Sequence, residues 1–412
     1  MPNTSQILLL LLTVVGMHAT TPAQDDLEKW QIDPYTKNDP KLMAQAGIVN
    51  FGPFKFGNLA ADPVMSADIQ KALPFINIIW IETAHFRIGT QLPDWAVPTE
   101  SATRKKVREE LTELKEQLPK INPRTRNLDS WLRAHLTAYR LEKLYAETQE
   151  LFGVKDADFP TDISQVFPGS GKTYMGYGPY MGMKDKFLVL IIEKGSTYRQ
   201  YMEKYLGRPT AYPQRWHFTE SSSILFTCPL ESNEFPLKHD TALHCALAFN
   251  VGQNLLDGFR YYSYDLPVWI REGFGHWSSR RISGDWPSFD QNEGSVADMK
   301  RLDKWKPYAK ALIGNKKYAP FPEVAGWRDF GNITFNDHVA IYSRIDFLIS
   351  QGQPKWQEFL FTVKGRVDDK WAIDQTDLVG ATRDGLKKGY NLSFLSFDEH
   401  WGEWVKSTYP SK

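Results

Sequence analysis

The chain has 412 residues, 42% of them apolar, enough to bury a substantial core in one large or two medium domains. Its 49 basic residues balance its 49 acidic ones, so it lacks the excess positive charge that draws a protein to nucleic acid or to an anionic membrane surface. Aromatic residues make up 14% of the chain, Trp alone contributing 14, which points to bulky cores and leaves room for an aromatic-lined groove.

The N-terminus, residues 1–23, reads as a secretory signal peptide. An apolar run from Ile7 to Val15 is too short to span a bilayer, and small residues follow, with cleavage positions after Ala19 or Ala23. A secreted or periplasmic location is therefore expected, with no later membrane span. Residues 24–72 are rich in Asp, Pro, Gly and Asn and read as an irregular N-terminal wrap. Strand character begins at Leu73 with FINIIWIE and continues in TAHFRI, which would make His85 a half-buried strand residue. Thr103 to Leu118 places Val107, Leu111, Leu114 and Leu118 at helical spacing, an amphipathic surface helix. Asp129 is positioned to cap a longer helix reaching about Phe152, with His135 on its apolar stripe.

The segment PGSGKT, Pro168 to Thr173, shares the end of a phosphate-loop motif, but Val166 stands where that motif needs glycine and no helix former follows. A nucleotide role is rejected, and Tyr174 to Met183 reads instead as a flexible aromatic loop that could form a lip over a groove. Lys186 to Glu193 is a buried strand, a helix runs from about Ser196 to Leu206, and Ser221 to Cys228 is a second strand. Cys228 and Cys245 either pair or remain buried thiols, the latter preferred because sequence does not supply the short Cα separation of a disulfide.

His239 to Ile282 organises the rest of the chain. It reads as two helices joined by the aromatic loop RYYSYD, the first capped by Asp240 and apolar on most of its circumference, the second opening behind Pro267. Glu272 is the one carboxylate in the otherwise apolar and aromatic first half of that second helix. Beyond Arg281 a turn-rich stretch, 283–294, leads into helices at Val296–Ile313, Asn336–Ser350, Lys355–Val363 and Asp398–Ser407. Asn332 and Asn391 lie in glycosylation sequons.

The segment WIREGFGHW, Trp269 to Trp277, resembles the W-x-x-E-G segment that carries the third zinc ligand in gluzincin metallopeptidases of the peptidase MA-like group, and ETAHFRI resembles their opening strand. The resemblance implies an α+β fold in which a small mixed β-sheet packs on an active-site-type helix, here residues 73–282, followed by a mainly α-helical C-terminal lobe, 283–412. It also implies an HExxH motif about nineteen residues before Glu272, where the chain reads FNVGQ. Phe249 and Gln253 replace the two histidines, and Asn250 replaces the catalytic glutamate. A phenyl ring offers no lone pair, and neither carboxamide serves as a metal-binding imidazole or as a base at neutral pH.

The leading expectation is thus an exported metallopeptidase-like protein, catalytically inactive and without cofactor, whose cleft binds a peptide or polymer. One alternative is an active zinc hydrolase using substituted ligands: Glu272 and His276, one helical turn apart, with His244 from the preceding helix. His338 and Tyr342 sit where the family places a group that steadies the transition state. A further alternative is a carbohydrate-binding or glycosidase-like protein pairing Glu272 with Asp257 or Asp265 in an aromatic groove.

Overall fold

The computed structural model describes residues 27–59, 62–162, 164, 167–231, 237–263, 265–289, 304–329 and 333–411. Residues 1–23, expected to be a signal peptide, Val166, Asn332 and residues 296–303 fall outside them. The N-terminal stretch is more regular than its composition implies. It holds α1 (Pro40–Gln45), capped by Asp39, a hairpin of β1 (Lys55–Leu59) and β2 (Asp62–Met65), and α2 (Ser66–Ala72). A turn-rich composition hid a short hairpin whose apolar residues, Phe54, Phe56 and Val64, are buried against the sheet.

The main sheet has five strands: β3 (Ile79–Glu82), β4 (Phe86–Thr90), β5 (Phe187–Ile192), β6 (Gln214–Phe218) and β7 (Ser223–Pro229), in the spatial order β3-β4-β5-β7-β6. β4, β5 and β7 run parallel, pairing Phe86 with Phe187 and Leu188 with Leu225, while β3 and β6 close the two edges antiparallel. β6 escaped notice because its sequence, QRWHF, is polar and only half-buried, as an edge strand permits.

The central strand β5 explains the layering. Its six apolar residues are all buried, and their side chains alternate: Phe187, Val189 and Ile191 join one core, Leu188, Leu190 and Ile192 the other. The second core is closed by α5 (Gly195–Leu206), through Tyr198, Tyr201, Met202 and Tyr205. The first is closed by α4 (Ser130–Phe152), capped by Asp129 and flanked by α3 (Ser101–Gln117), and by α6 (Asp240–Gly258). Every residue of α6 except His244 is buried. Its N-cap is His239; Asp240, expected to cap, lies inside the helix and pairs with Arg140 at 2.7 Å.

α7 (Val268–Arg280) packs against α6, and a helical lobe completes the molecule: α8 (Trp305–Gly314), α9 (Phe321–Val324), α10 (Phe335–Ser350), α11 (Gln353–Val363), α12 (Leu378–Tyr390) and α13 (Phe394–Thr408). The fold is mixed α+β with a small mixed sheet and a helical C-terminal region. The Tyr174–Met183 segment is not a lip. Tyr174, Met181 and Met183 are buried, and Arg260 ties the segment down by donating to the carbonyls of Tyr174, Phe361 and Lys364. Cys228 and Cys245 are buried free thiols. Among the described residues no helix is long and apolar enough to cross a membrane.

Candidate metal centre

Two glycines decide where α7 lies. A Cβ on Gly273 would stand 2.9 Å from the Ile341 carbonyl oxygen and 2.6 Å from Ile345 Cγ1, both on α10; a Cβ on Gly275 would stand 2.6 Å from Gln253 Nε2 and 3.0 Å from Phe249, both on α6. Glycine inside a helix costs about 1 kcal/mol relative to alanine, and here each one permits a close helix approach. α7 is thereby wedged between α6 and α10. Glu272 and His276, one turn apart on it, meet His338 from the first turn of α10.

A carboxylate oxygen of Glu272 and a ring nitrogen from each of His276 and His338 lie within 4.8 Å of one another. All three residues are buried, at 0%, 1% and 0% exposure. His276 Nε2 and His338 Nδ1 are 2.9 Å apart, one sharing its proton with the other. Burial, then the neighbouring His338 and Arg280, hold His276 well below the usual histidine range; burial pushes His338 down to about 3. Both rings are neutral at pH 7, the form in which imidazole binds a metal.

The spacing fits a small cation. Tetrahedral zinc bonded at about 2.0–2.1 Å sets its ligand atoms about 3.4 Å apart, inside the 4.8 Å within which the three donor atoms lie; the 2.9 Å contact between His276 Nε2 and His338 Nδ1 is a hydrogen bond that a bound ion would replace. Two imidazoles and a carboxylate form a donor set that borderline-soft divalent ions accept. The walls are aromatic: the Phe249, Trp305 and Phe289 rings lie 5.0, 4.9 and 5.3 Å from His276, and Phe289 is also 5.1 Å from His338. Such a shell excludes water and strengthens any charge contact inside it. Arg280 stacks on Trp305 at 4.1 Å. This Glu/His/His cluster could hold a metal ion.

The other residues singled out from sequence are dispersed. Phe249 and Gln253 do face α7, and neither polar atom of the buried Gln253 carboxamide finds a hydrogen-bond partner among the described residues. Asn250 is turned away, its amide donating to the Ala246 carbonyl one turn back in its own helix. His244 is not in the cluster. It sits 3.2 Å from Glu110, and burial together with nearby Arg140 pushes it down to about 4. Tyr342 contributes packing, with its ring 5.6 Å from Trp305. Asp257 is held by Arg215 at 2.9 Å and Arg271 at 3.1 Å, and Asp265 by Lys364 at 3.0 Å and the Gly365 N–H. Both carboxylates are committed to structural pairs, which weighs against a role beside Glu272 in glycoside chemistry.

His338 was legible as a residue near the site but not as a donor. Its signal was its place on an otherwise apolar helix face, one turn before Tyr342, and only the approach of α10 to Gly273 turns it toward Glu272. No known family model, curated protein or solved structure matches the chain.

Proposed function

We propose that this chain is an exported, metallopeptidase-like protein that holds one divalent cation, zinc by its donor set, at Glu272, His276 and His338, and does not hydrolyse peptides. The observation that carries the reading is the convergence of three buried donors from two helices into one aromatic shell. A histidine pair with one carboxylate is a zinc ligand set, and burial of that set favours a centre that ties α7 to α10. Hydrolysis needs more: a metal-bound water, a base beside it and a path for substrate. The position resembling the family's base is Asn250, whose amide is engaged with its own helix, and Phe249 packs on His276 where the family has a ligand. The cleft of such a scaffold is left to bind a peptide or another polymer.

The test is metal analysis of the purified full-length chain across the first-row divalent ions, with a chelator titration of thermal stability. Stoichiometric zinc and a chelator-lowered Tm support the reading; a metal-free protein whose Tm ignores both chelator and added zinc overturns it. The same donor set favours a second reading, an active zinc hydrolase, because three protein ligands leave a fourth position for water. Casein hydrolysis that stops with chelator and in Glu272→Gln selects it over the first.

A further inference from the structure

Glu272 and His276 leave α7 on an arc bounded by its two close helix contacts. Seen down the helix, Gly275, which meets α6, lies about 60° to one side of Glu272, and Gly273, which meets α10, about 100° to the other, with His276 between them. The pair therefore projects into the groove between α6 and α10. His338 enters that groove from α10, and the α6 side chains that face Gly275 are Phe249 and Gln253. The α6–α7 contacts run antiparallel, Cys245 beside Ser283 and Gln253 beside Gly275, so Gln253 meets α7 at the turn that carries Glu272 and His276. Phe249, one turn earlier on α6, covers the His276 ring at 5.0 Å.

Gln253 is 0% exposed, and neither its Oε1 nor its Nε2 has a hydrogen-bond partner among the described residues. A leucine would fill the same space without burying an unsatisfied amide, and an orphaned buried polar group in a native fold marks a place where an ion or ligand binds. Sealed atoms suit an ion and not a molecule: donors about 3.4 Å apart around zinc leave no surface that anything larger could reach. The inference rests on the metal reading. We propose that Gln253 Oε1 is the fourth ligand of the ion held by Glu272, His276 and His338. Its oxygen is neutral, so the four donors bring one negative charge, and together they fill a tetrahedral ion. With no position left for water, the centre ties α6, α7 and α10 together and activates no nucleophile. In the active-hydrolase reading that position stays open.

Zinc and cobalt binding by the full-length chain test the proposal. Parent protein should take up zinc, and Gln253→Leu should lower its affinity in chelator competition by about tenfold or more. Gln253→Glu, which keeps an oxygen at the same reach, should restore most of that loss. With cobalt in place of zinc, azide should leave the visible spectrum of the parent unchanged and shift that of Gln253→Leu, where water takes the vacated position. The azide titration of the parent needs no variant and decides the question if Gln253→Leu fails to fold. Parent protein that holds no zinc overturns the metal reading and this inference together. Parent protein that holds zinc, but whose cobalt form binds azide or whose zinc affinity survives Gln253→Leu, overturns this inference alone.

Discussion

Two histidine-and-carboxylate clusters pack beside α6, one half-buried around His244 and one buried around His276, and they are built differently. In the first, Arg140 of α4 bonds Glu110 at 2.5 Å and Asp240 at 2.7 Å, and His244 joins through Glu110. Burial opposes the charge on Arg140, but Asp240 and Glu110 outweigh it and raise its pKa; burial likewise opposes ionisation of Glu110, but Arg140 and His244 hold it well below the carboxylate range. Each charge there has a protein counter-charge. In the second, Glu272 sits with two neutral imidazoles inside aromatic walls. The first network is closed by an arginine; the second brings one carboxylate and two imidazoles, a zinc-type donor set, into one aromatic shell with Arg280 near His276.

The comparison can be broken first at Arg140. Arg140→Met leaves Glu110 and Asp240 buried without their partner, and chemical denaturation should register a loss of about 3–5 kcal/mol. Metal content should stay unchanged. Conversely, His276→Ala, His338→Ala or Glu272→Gln should lower zinc affinity, measured by chelator competition, more than the roughly 10–100-fold seen for groups that merely support a ligand. If the arginine variant loses metal too, the clusters are not separable.

Helix spacing sharpens the contrast. Gly273→Ala drives a methyl group into the Ile341 backbone carbonyl, and overpacking of that kind costs about 1–3 kcal/mol. It should weaken metal binding as well, because His338 reaches the site on the same helix. Gly275→Ala meets the movable end of Gln253 and the Phe249 ring. Its cost, measured by the same denaturation, should be smaller, offset by alanine's gain of about 1 kcal/mol in helix propensity.

The smallest effect is the pH dependence of the charged side. His244 and His217 are each pushed down to about 4, chiefly by burial. Between about 6.5, the value in an unfolded chain, and 4, the unfolded state binds more protons, so stability falls as pH falls. Glu110 acts in the same direction at lower pH, where its depressed pKa makes the folded state resist protonation. Denaturation midpoints from pH 7 to 4 should decline in the parent and decline less in His244→Gln.

Much of this was legible along the chain. The continuous apolar run of β5 and the apolar circumference of α6 pointed to a buried strand and a buried helix, and Asp129 capped α4 as its position implied. Glu272 and His276 stood out because i, i+4 spacing on one helix is local information. The third donor was not local. In sequence His244 was the expected third donor and His338 only a group that steadies the transition state; the rotation of α6 sends His244 to Glu110, and the glycine-permitted contact of α7 with α10 brings in His338. The N-terminal hairpin and β6 stayed hidden because short, half-polar strands carry little periodic signal.

The central claim rests on metal content. Full-length protein purified without a metal-affinity step, equilibrated with zinc and freed of excess by gel filtration, should retain about one zinc per chain by mass spectrometry, and His338→Ala should retain almost none. Parent protein that emerges metal-free, or a His338→Ala variant that keeps the same zinc as the parent, would contradict the account.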